Sequence, residues 1–239
     1  FLSQAAPQPT MTPMAATPGR PLFDPETVPL DPSFSEPGAR GTPVPSERLR
    51  PAALRQRFGA QLAWTPELRA DPRLFMPDLE PRPAAVLVPL IARGNDVRVL
   101  LTERTAHLND HAGQISFPGG RVEEGDADPR ATALRETEEE IGLASAAVDI
   151  VGELPEYTTA TGYRVTPVIG LIEGPFSLAL DAFEVSEAFE VPLEFLMTPA
   201  HHRRHAYEWP GGRREFLSMP WRSAPDAADG FIWGATAAM

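Results

Sequence analysis

GGRVEEGDADPRATALRETEEEIGL, residues 119–143, is the stretch that decides how the rest of the chain is read. Asp128 followed by Pro129 is a helix start: an aspartate oxygen accepts from the free amides of a first turn, and proline suits the first helical position. Gly142 is a stop, free to take the left-handed conformation that ends a helix. The spacing predicts a helix of roughly three and a half turns over about 129–141. At ~100° per residue, Leu134, Thr137 and Ile141 form a narrow inward stripe, and Glu136, Glu139 and Glu140 share a neighbouring face within about 100° of arc. Glu138 points roughly the opposite way. Three carboxylates on one face repel by a few tenths of a kcal/mol per pair, a cost readily offset by a hard divalent cation among them. Oxygen-only donors favour magnesium or manganese over zinc. Arg135, four residues before Glu139, pairs with or orients the acids. A glutamate run on a helix is usually a solvated face. The context argues otherwise, because Phe117, Pro118, Gly119 and Gly120 form a strand-to-loop turn whose backbone can approach a ligand closely.

Outward from this stretch, residues 84–92 (AAVLVPLIA) read as a buried strand despite Pro89, and Gly94, Asn95 and Asp96 supply turn chemistry before a second strand at 97–104. Further strands are expected at 148–154 and 163–173, a short helix within 186–197, a hairpin about Pro210 to Gly212, and a helix start in the closing FIWGATAAM. Residues 46–58 read as a short lead-in helix with Ser46 as its cap. Strands and helices alternate without the regular spacing of a doubly wound sheet, so the expected class is α+β, a mixed sheet between helices. Residues 1–45 hold eleven prolines and no periodicity. They read as an arm: either a disordered tail, or an ordered strap using Leu22, Phe23, Leu30 and Phe34, which leaves a homodimer open. One catalytic domain is then expected over 46–239, with a helical lead-in at 46–83 and a core at 84–239.

The net charge of −12 argues against nucleic acid or an anionic membrane as partner, since both are bound through surplus cations. A small polyanion remains accessible where a metal and local arginines reverse the field. There is no cysteine, and every one of the 21 basic residues is arginine, which excludes thiolate chemistry, a Schiff-base lysine and a phosphate-loop lysine. No apolar run approaches the ~18 residues of a membrane span. A cytoplasmic bacterial protein is expected.

Residues 119–143 resemble the Nudix box, with Gly120, Asp126, Arg135, Glu136, Thr137, Glu139, Glu140, Gly142 and Leu143 at its positions. Three features depart from the pattern: Asp126 stands for a glutamate, the spacer before Arg135 has one extra residue, and Thr137 replaces an aliphatic side chain. The preceding LLTERTAHLNDHAGQISFPGG, residues 100–120, is similar to the signature of coenzyme A diphosphatases, where the aspartate and the longer spacer also occur. The likeness covers about 84–239. It implies a Nudix fold (α/β/α) and a Mg2+- or Mn2+-dependent hydrolysis of a coenzyme A-like diphosphate. It also implies a metal held by Glu136, Glu139, Glu140 and a Gly119 carbonyl, with Glu136 as candidate base. Glu184, Glu187 and Glu190 are the alternatives for that proton. Arg104, His111, Gln114, Phe117 and Tyr163 are implied at the substrate, Arg104 as a phosphate clamp. Tyr157 and Tyr163 either stack on adenine or complete a core. HHRRH, 201–205, reads as a solvated basic loop, with a 3'-phosphate site or, on residue types alone, a zinc site as alternatives. The enzyme alternatives are hydrolysis of reduced NAD, ADP-ribose or an oxidised nucleotide; a nucleotide-binding module without turnover is the alternative of another class.

Overall fold

A computed structural model describes residues 24–35, 41–61, 64–68, 70, 80–106, 113–209, 212–222 and 230–239. Its centre is a long apolar strand, β1 (Arg82–Arg93), which runs parallel to β7 (Tyr163–Ile172) over its length. The other side of β1 is shared by two antiparallel partners. The short β4 (Gly119–Arg121) takes its first half, and β2 (Asp96–Arg104) takes its second half through the predicted turn. Around these lie β3 (Ile115–Ser116), β5 (Asp149–Glu153), β6 (Tyr157–Thr158) and β8 (Val185–Pro192), completing a mixed eight-stranded sheet. Pro89 is tolerated inside β1 although it has no N–H to give; the strand is otherwise almost wholly buried, as its apolar run requires.

The alternation of β1 separates two cores. Ala85, Leu87 and Ile91 face α2 (Pro129–Ile141) and meet Ala133, Ile141 and Leu143. Val88 and Leu90 face the opposite way, toward Leu49, Val99, Ile169, Leu171 and Ile232, with Leu54 and Phe58 of α1 (Pro51–Gly59) packed on that cluster. A mixed sheet between helices is thus the architecture.

Several local expectations change. The lead-in helix is a 3-10 turn, Ser46–Leu49, followed by α1, which starts at Pro51; Ser46 does not cap but donates to Glu194. The short helix expected within 186–197 is present as α3 (Leu193–Leu196), and the residues before it pair with β2 as β8. The hairpin is β9 (Arg203–Trp209) and β10 (Gly212–Trp221), and the closing segment first adds β11 (Gly230–Trp233) to make a three-stranded sheet before α4 (Ala235–Ala238). Of the proline-rich arm, residues 24–35 are described, and 28–31 lie along β9. Val28 and Asp31 are buried, Leu30 bridges to His205, and the Asp31 amide donates to the Arg204 carbonyl at 2.8 Å. No helix among the described residues is long and apolar enough to cross a membrane.

Candidate active site

The ends of α2 are built as its sequence predicts. An Asp128 side-chain oxygen accepts from the Ala131 amide at 2.9 Å, Pro129 follows, and Gly142 closes the helix at φ 67° with its amide donating to the Glu138 carbonyl. The buried stripe differs from the expected one. Ala133, Thr137, Glu140 and Ile141 turn inward, whereas Leu134 is only partly buried, so the helix is rotated by about one residue toward Ala133. Thr137 stands at an aliphatic position without penalty because its hydroxyl donates to the Ala133 carbonyl one turn back, at 2.6 Å.

That rotation carries Glu140 under the glycine turn. Its carboxylate is almost wholly buried, accepts from the Gly119 amide at 3.1 Å and lies 3.8 Å from the Arg104 guanidinium. Burial pushes its pKa up to about 7; the Gly119 amide and Arg104 pull the other way, and Glu184 and Glu136 add to the rise. Glu136 faces the same turn from the preceding helical turn. A methyl group on Gly120 would fall inside its carboxylate, so only glycine leaves room for it there. Burial raises the Glu136 carboxyl as well, against the pull of Arg135.

Arg135 organises the remainder. It grips Asp126 with two nitrogens at 3.0 and 2.9 Å, donates to the Arg121 carbonyl at 3.1 Å, and reaches Glu136 at 3.0 Å and Glu139 at 3.1 Å. Asp126 also accepts from the Glu123 amide and the Thr132 hydroxyl, and Arg135 foremost holds its carboxyl well below the usual carboxylate range. The aspartate of the lengthened spacer therefore anchors the arginine. Glu138 accepts from Ser145 on the opposite side, as its phase on the helix predicts.

The expected convergence of three carboxylates is modified. Glu136 and Glu140 meet at the glycine turn, while Glu139 stays largely exposed on Arg135. Among the described residues no three acid or imidazole side chains are gathered closely enough to form a finished metal cage. The donor set nevertheless fits a hard divalent cation: oxygen atoms only, two desolvated carboxylates whose carboxyls stay raised although each has one guanidinium beside it, and a third at the rim.

The remaining site residues separate by position. Arg104 ends β2 beside Glu140, and its amide donates to the Gln114 carbonyl, which ties Gln114 to the same strand end. Phe117 is buried in the core that Val88 and Leu90 face, so its ring packs rather than lining an open surface. Tyr157 is also buried. Tyr163 stands at the start of β7 with its hydroxyl accepting from Arg121. His111 lies outside the described residues. Of the alternative bases, Glu190 is paired with Arg93 and Arg98, and Glu187 sits opposite Glu103 across β8 and β2. Glu184 is the one brought close to Glu140. The loop that carries it is stitched to both neighbours, the Thr105 amide donating to the Glu184 carbonyl and the Asp181 amide to the Glu140 carbonyl. HHRRH holds no metal-type geometry: His201 and His202 bond to the carbonyls of Phe195 and Leu196.

A capped helix presenting carboxylates to a glycine turn on a mixed sheet is the arrangement of a Nudix hydrolase, and the chain belongs to that family, whose NUDIX domain model matches residues 81–209. The Nudix hydrolase NudL of Escherichia coli strain K12 is 40% identical over 167 residues, covering 70% of this chain and 83% of its own. That of Shigella boydii serotype 4 is 41% identical over the same coverage. Among solved structures, the Nudix hydrolase RenU from M. smegmatis is 23% identical, with a TM-score of 0.41 over 48% of this chain and 72% of its own. The chain is thus an enzyme that hydrolyses nucleoside diphosphate derivatives, in a family that works with divalent cations.

Proposed function

We propose that the protein cleaves the diphosphate of coenzyme A or its derivatives, giving 4'-phosphopantetheine and adenosine 3',5'-bisphosphate. One observation carries this reading. The coenzyme A-type signature at 100–120 delivers its two described ends, Arg104 and the Gly119–Gly120 turn, onto the same helical acid, Glu140. The signature is therefore continuous with the catalytic helix.

Glu136, Glu139 and Glu140 would hold magnesium or manganese, with the Gly119 carbonyl as a further ligand. The bound ion supplies neutralising charge to the diphosphate and a more acidic water. The chain's own groups do the rest. Arg135 fixes Glu136 and Glu139 from one guanidinium, so both are oriented before substrate arrives. Arg104, at its strand end, aligns Glu140 and offers its remaining donors to a phosphate oxygen. Water adds to one phosphorus, the bridging P–O bond breaks, and the proton from the water passes to Glu136; Glu184 is the nearest alternative acceptor among the later acids.

The test incubates the protein and magnesium or manganese with coenzyme A, reduced NAD, ADP-ribose and 8-oxo-dGTP, identifying products by mass. Release of 4'-phosphopantetheine chiefly from coenzyme A is expected. Turnover confined to the other substrates rejects the proposal.

A further inference from the structure

Tyr163 carries an arrangement that the catalytic carboxylates do not use. Arg82 lies opposite it in the parallel register of β1 and β7, and the guanidinium sits over the tyrosine ring, 4.4 Å from its centroid. Arg121, at the end of β4, donates from Nε to the Tyr163 hydroxyl at 2.9 Å, and its guanidinium lies 5.5 Å from the same ring. One aromatic side chain thus gathers two exposed cations. Each arginine–ring contact is a modest attraction between a cation and the ring face. It leaves the repulsion between the two like charges uncancelled.

The neighbouring arginines are treated differently. Arg93 and Arg98 meet Glu190, Arg104 meets Glu140, and Arg164 meets Glu156. Arg82 and Arg121 have no carboxylate partner among the described residues, in a chain whose 33 acids outnumber its 21 arginines. Two guanidiniums gathered on one ring concentrate positive charge of the kind an anion recognises.

Its position relates it to the chemistry. Arg121 directly follows Gly120, and its carbonyl accepts from the Arg135 nitrogen at 3.1 Å, the same guanidinium that holds Glu136 and Glu139. Side chains alternate along β4. Gly120 faces Glu136, and Arg121 turns to the other face, where Tyr163 stands. The cation pair and the carboxylates therefore lie on opposite faces of the strand that follows the glycine turn, carried by consecutive residues of it.

We infer that Arg82 and Arg121, positioned by Tyr163, form a subsite for a phosphomonoester of the substrate, distinct from the diphosphate that is cleaved. For the identity of that substrate the inference rests on the coenzyme A reading, whose ribose 3'-phosphate is such a group. The anion site itself does not depend on it. Tyr163 is a positioning residue here, with one ring face already covered by Arg82, and not a platform for adenine.

Two measurements on the full chain with magnesium test this. The first compares kcat/KM for coenzyme A and 3'-dephospho-coenzyme A in wild type, Arg82→Gln/Arg121→Gln and Tyr163→Phe. Wild type should favour the phosphorylated substrate about tenfold or more. The double variant should bring the ratio toward one through a raised KM for coenzyme A, and Tyr163→Phe, which keeps the ring and loses the hydroxyl, should fall between. An unchanged ratio in the double variant overturns the inference while leaving the coenzyme A reading intact. The second titrates adenosine 3',5'-bisphosphate and AMP by calorimetry. Tighter binding of the bisphosphate by wild type, lost in the double variant, supports the subsite even if neither coenzyme is hydrolysed, the outcome that rejects the coenzyme A reading alone. Equal affinities for both nucleotides in wild type overturn it.

Discussion

Two runs of metal-ligand residue types, RETEEE at 135–140 and HHRRH at 201–205, meet opposite fates. In the second, His201 bonds to the Phe195 carbonyl and stacks on the Phe195 ring at 4.0 Å, and His202 bonds to the Leu196 carbonyl. His205 is buried between the Val28 carbonyl at 2.9 Å and the Ser218 hydroxyl at 2.8 Å. Both nitrogens of that ring have partners, and the cost of burying them is met within the chain. In the first run, Glu140 is buried against one amide and a guanidinium 3.8 Å away, and Glu136 is desolvated beside a glycine that gives it room, with Arg135 at 3.0 Å. Residue type does not separate the two. The distinction lies in how far burial is compensated: the imidazole has a partner at each nitrogen, while both carboxyls stay raised by burial despite their guanidiniums, and a bound cation would complete the compensation.

The most severe way to break this comparison is to neutralise the helix. Glu139→Gln and Glu140→Gln should each lower kcat by at least about a hundredfold. Their melting temperatures should hold, and that of Glu140→Gln should rise in metal-free buffer, because an amide is cheaper to bury than a carboxylate. Steady-state rates and thermal melts check both; full turnover in the two variants would remove the helix from the chemistry.

The glycine pair sharpens the same point. Gly120→Ala forces the end of a flexible side chain, Glu136, out of place, so turnover should fall about tenfold or more with the fold retained. Gly119→Ala drives a methyl into the backbone of Ala85 and Val86 at a φ of 151°, which should cost stability by about 2–4 kcal/mol. Chemical denaturation of both variants separates them. Equal stability losses would show that the turn is not divided between site and scaffold.

What sequence could foresee follows from how far apart the deciding partners lie. The helix caps at Asp128 and Gly142, the rejection of Glu138 and the β1–β2 hairpin rest on contacts within a few residues, and these appear in the fold. The rotation that buries Ala133 in place of Leu134 does not follow from periodicity. It depends on Ala85 and Leu87 of β1, which accept a small side chain at that position. Asp126 reads only as a departure from the box until Arg135 is seen gripping it. Phe117 belongs to a binding signature in sequence and to a core in space. The partner of His205 is Val28, 177 residues away inside a proline-rich segment that composition alone assigns to a tail or a strap.

His205→Ala probes the satisfied side of the comparison. It leaves the Val28 carbonyl and Ser218 hydroxyl without their partner and a void beside Phe216, on which the ring stacks at 4.7 Å. A loss of about 2 kcal/mol is expected, with kcat unaltered. Urea unfolding and steady-state rates measure the two; a lost activity with intact stability would place HHRRH in the site after all.

The smallest effect is one of pH. Burial foremost lowers the pKa of His205, Arg203 adds to this, and the hydrogen bond to Val28 opposes it. The folded state therefore holds the ring neutral where the unfolded chain, with its ordinary value near 6.5, begins to bind a proton. This group's contribution to stability is complete above that value and is lost as pH falls from about 6.5 through the depressed folded value. Arg203, Arg204, Arg213 and Arg214 are the cations on β9 and β10; Asp31 of the strap is already paired with Arg213 at 2.8 Å, and Glu215 is shared by Arg204 and Arg213. The acids Asp31 and Glu215 are thus already engaged by arginines, and the charge acting on the ring is that of Arg203. Wild type should therefore lose more stability between pH 7.5 and 5.5 than His205→Asn, which cannot titrate. Equal losses would mean that the strap and β9 part without regard to the charge of the imidazole between them.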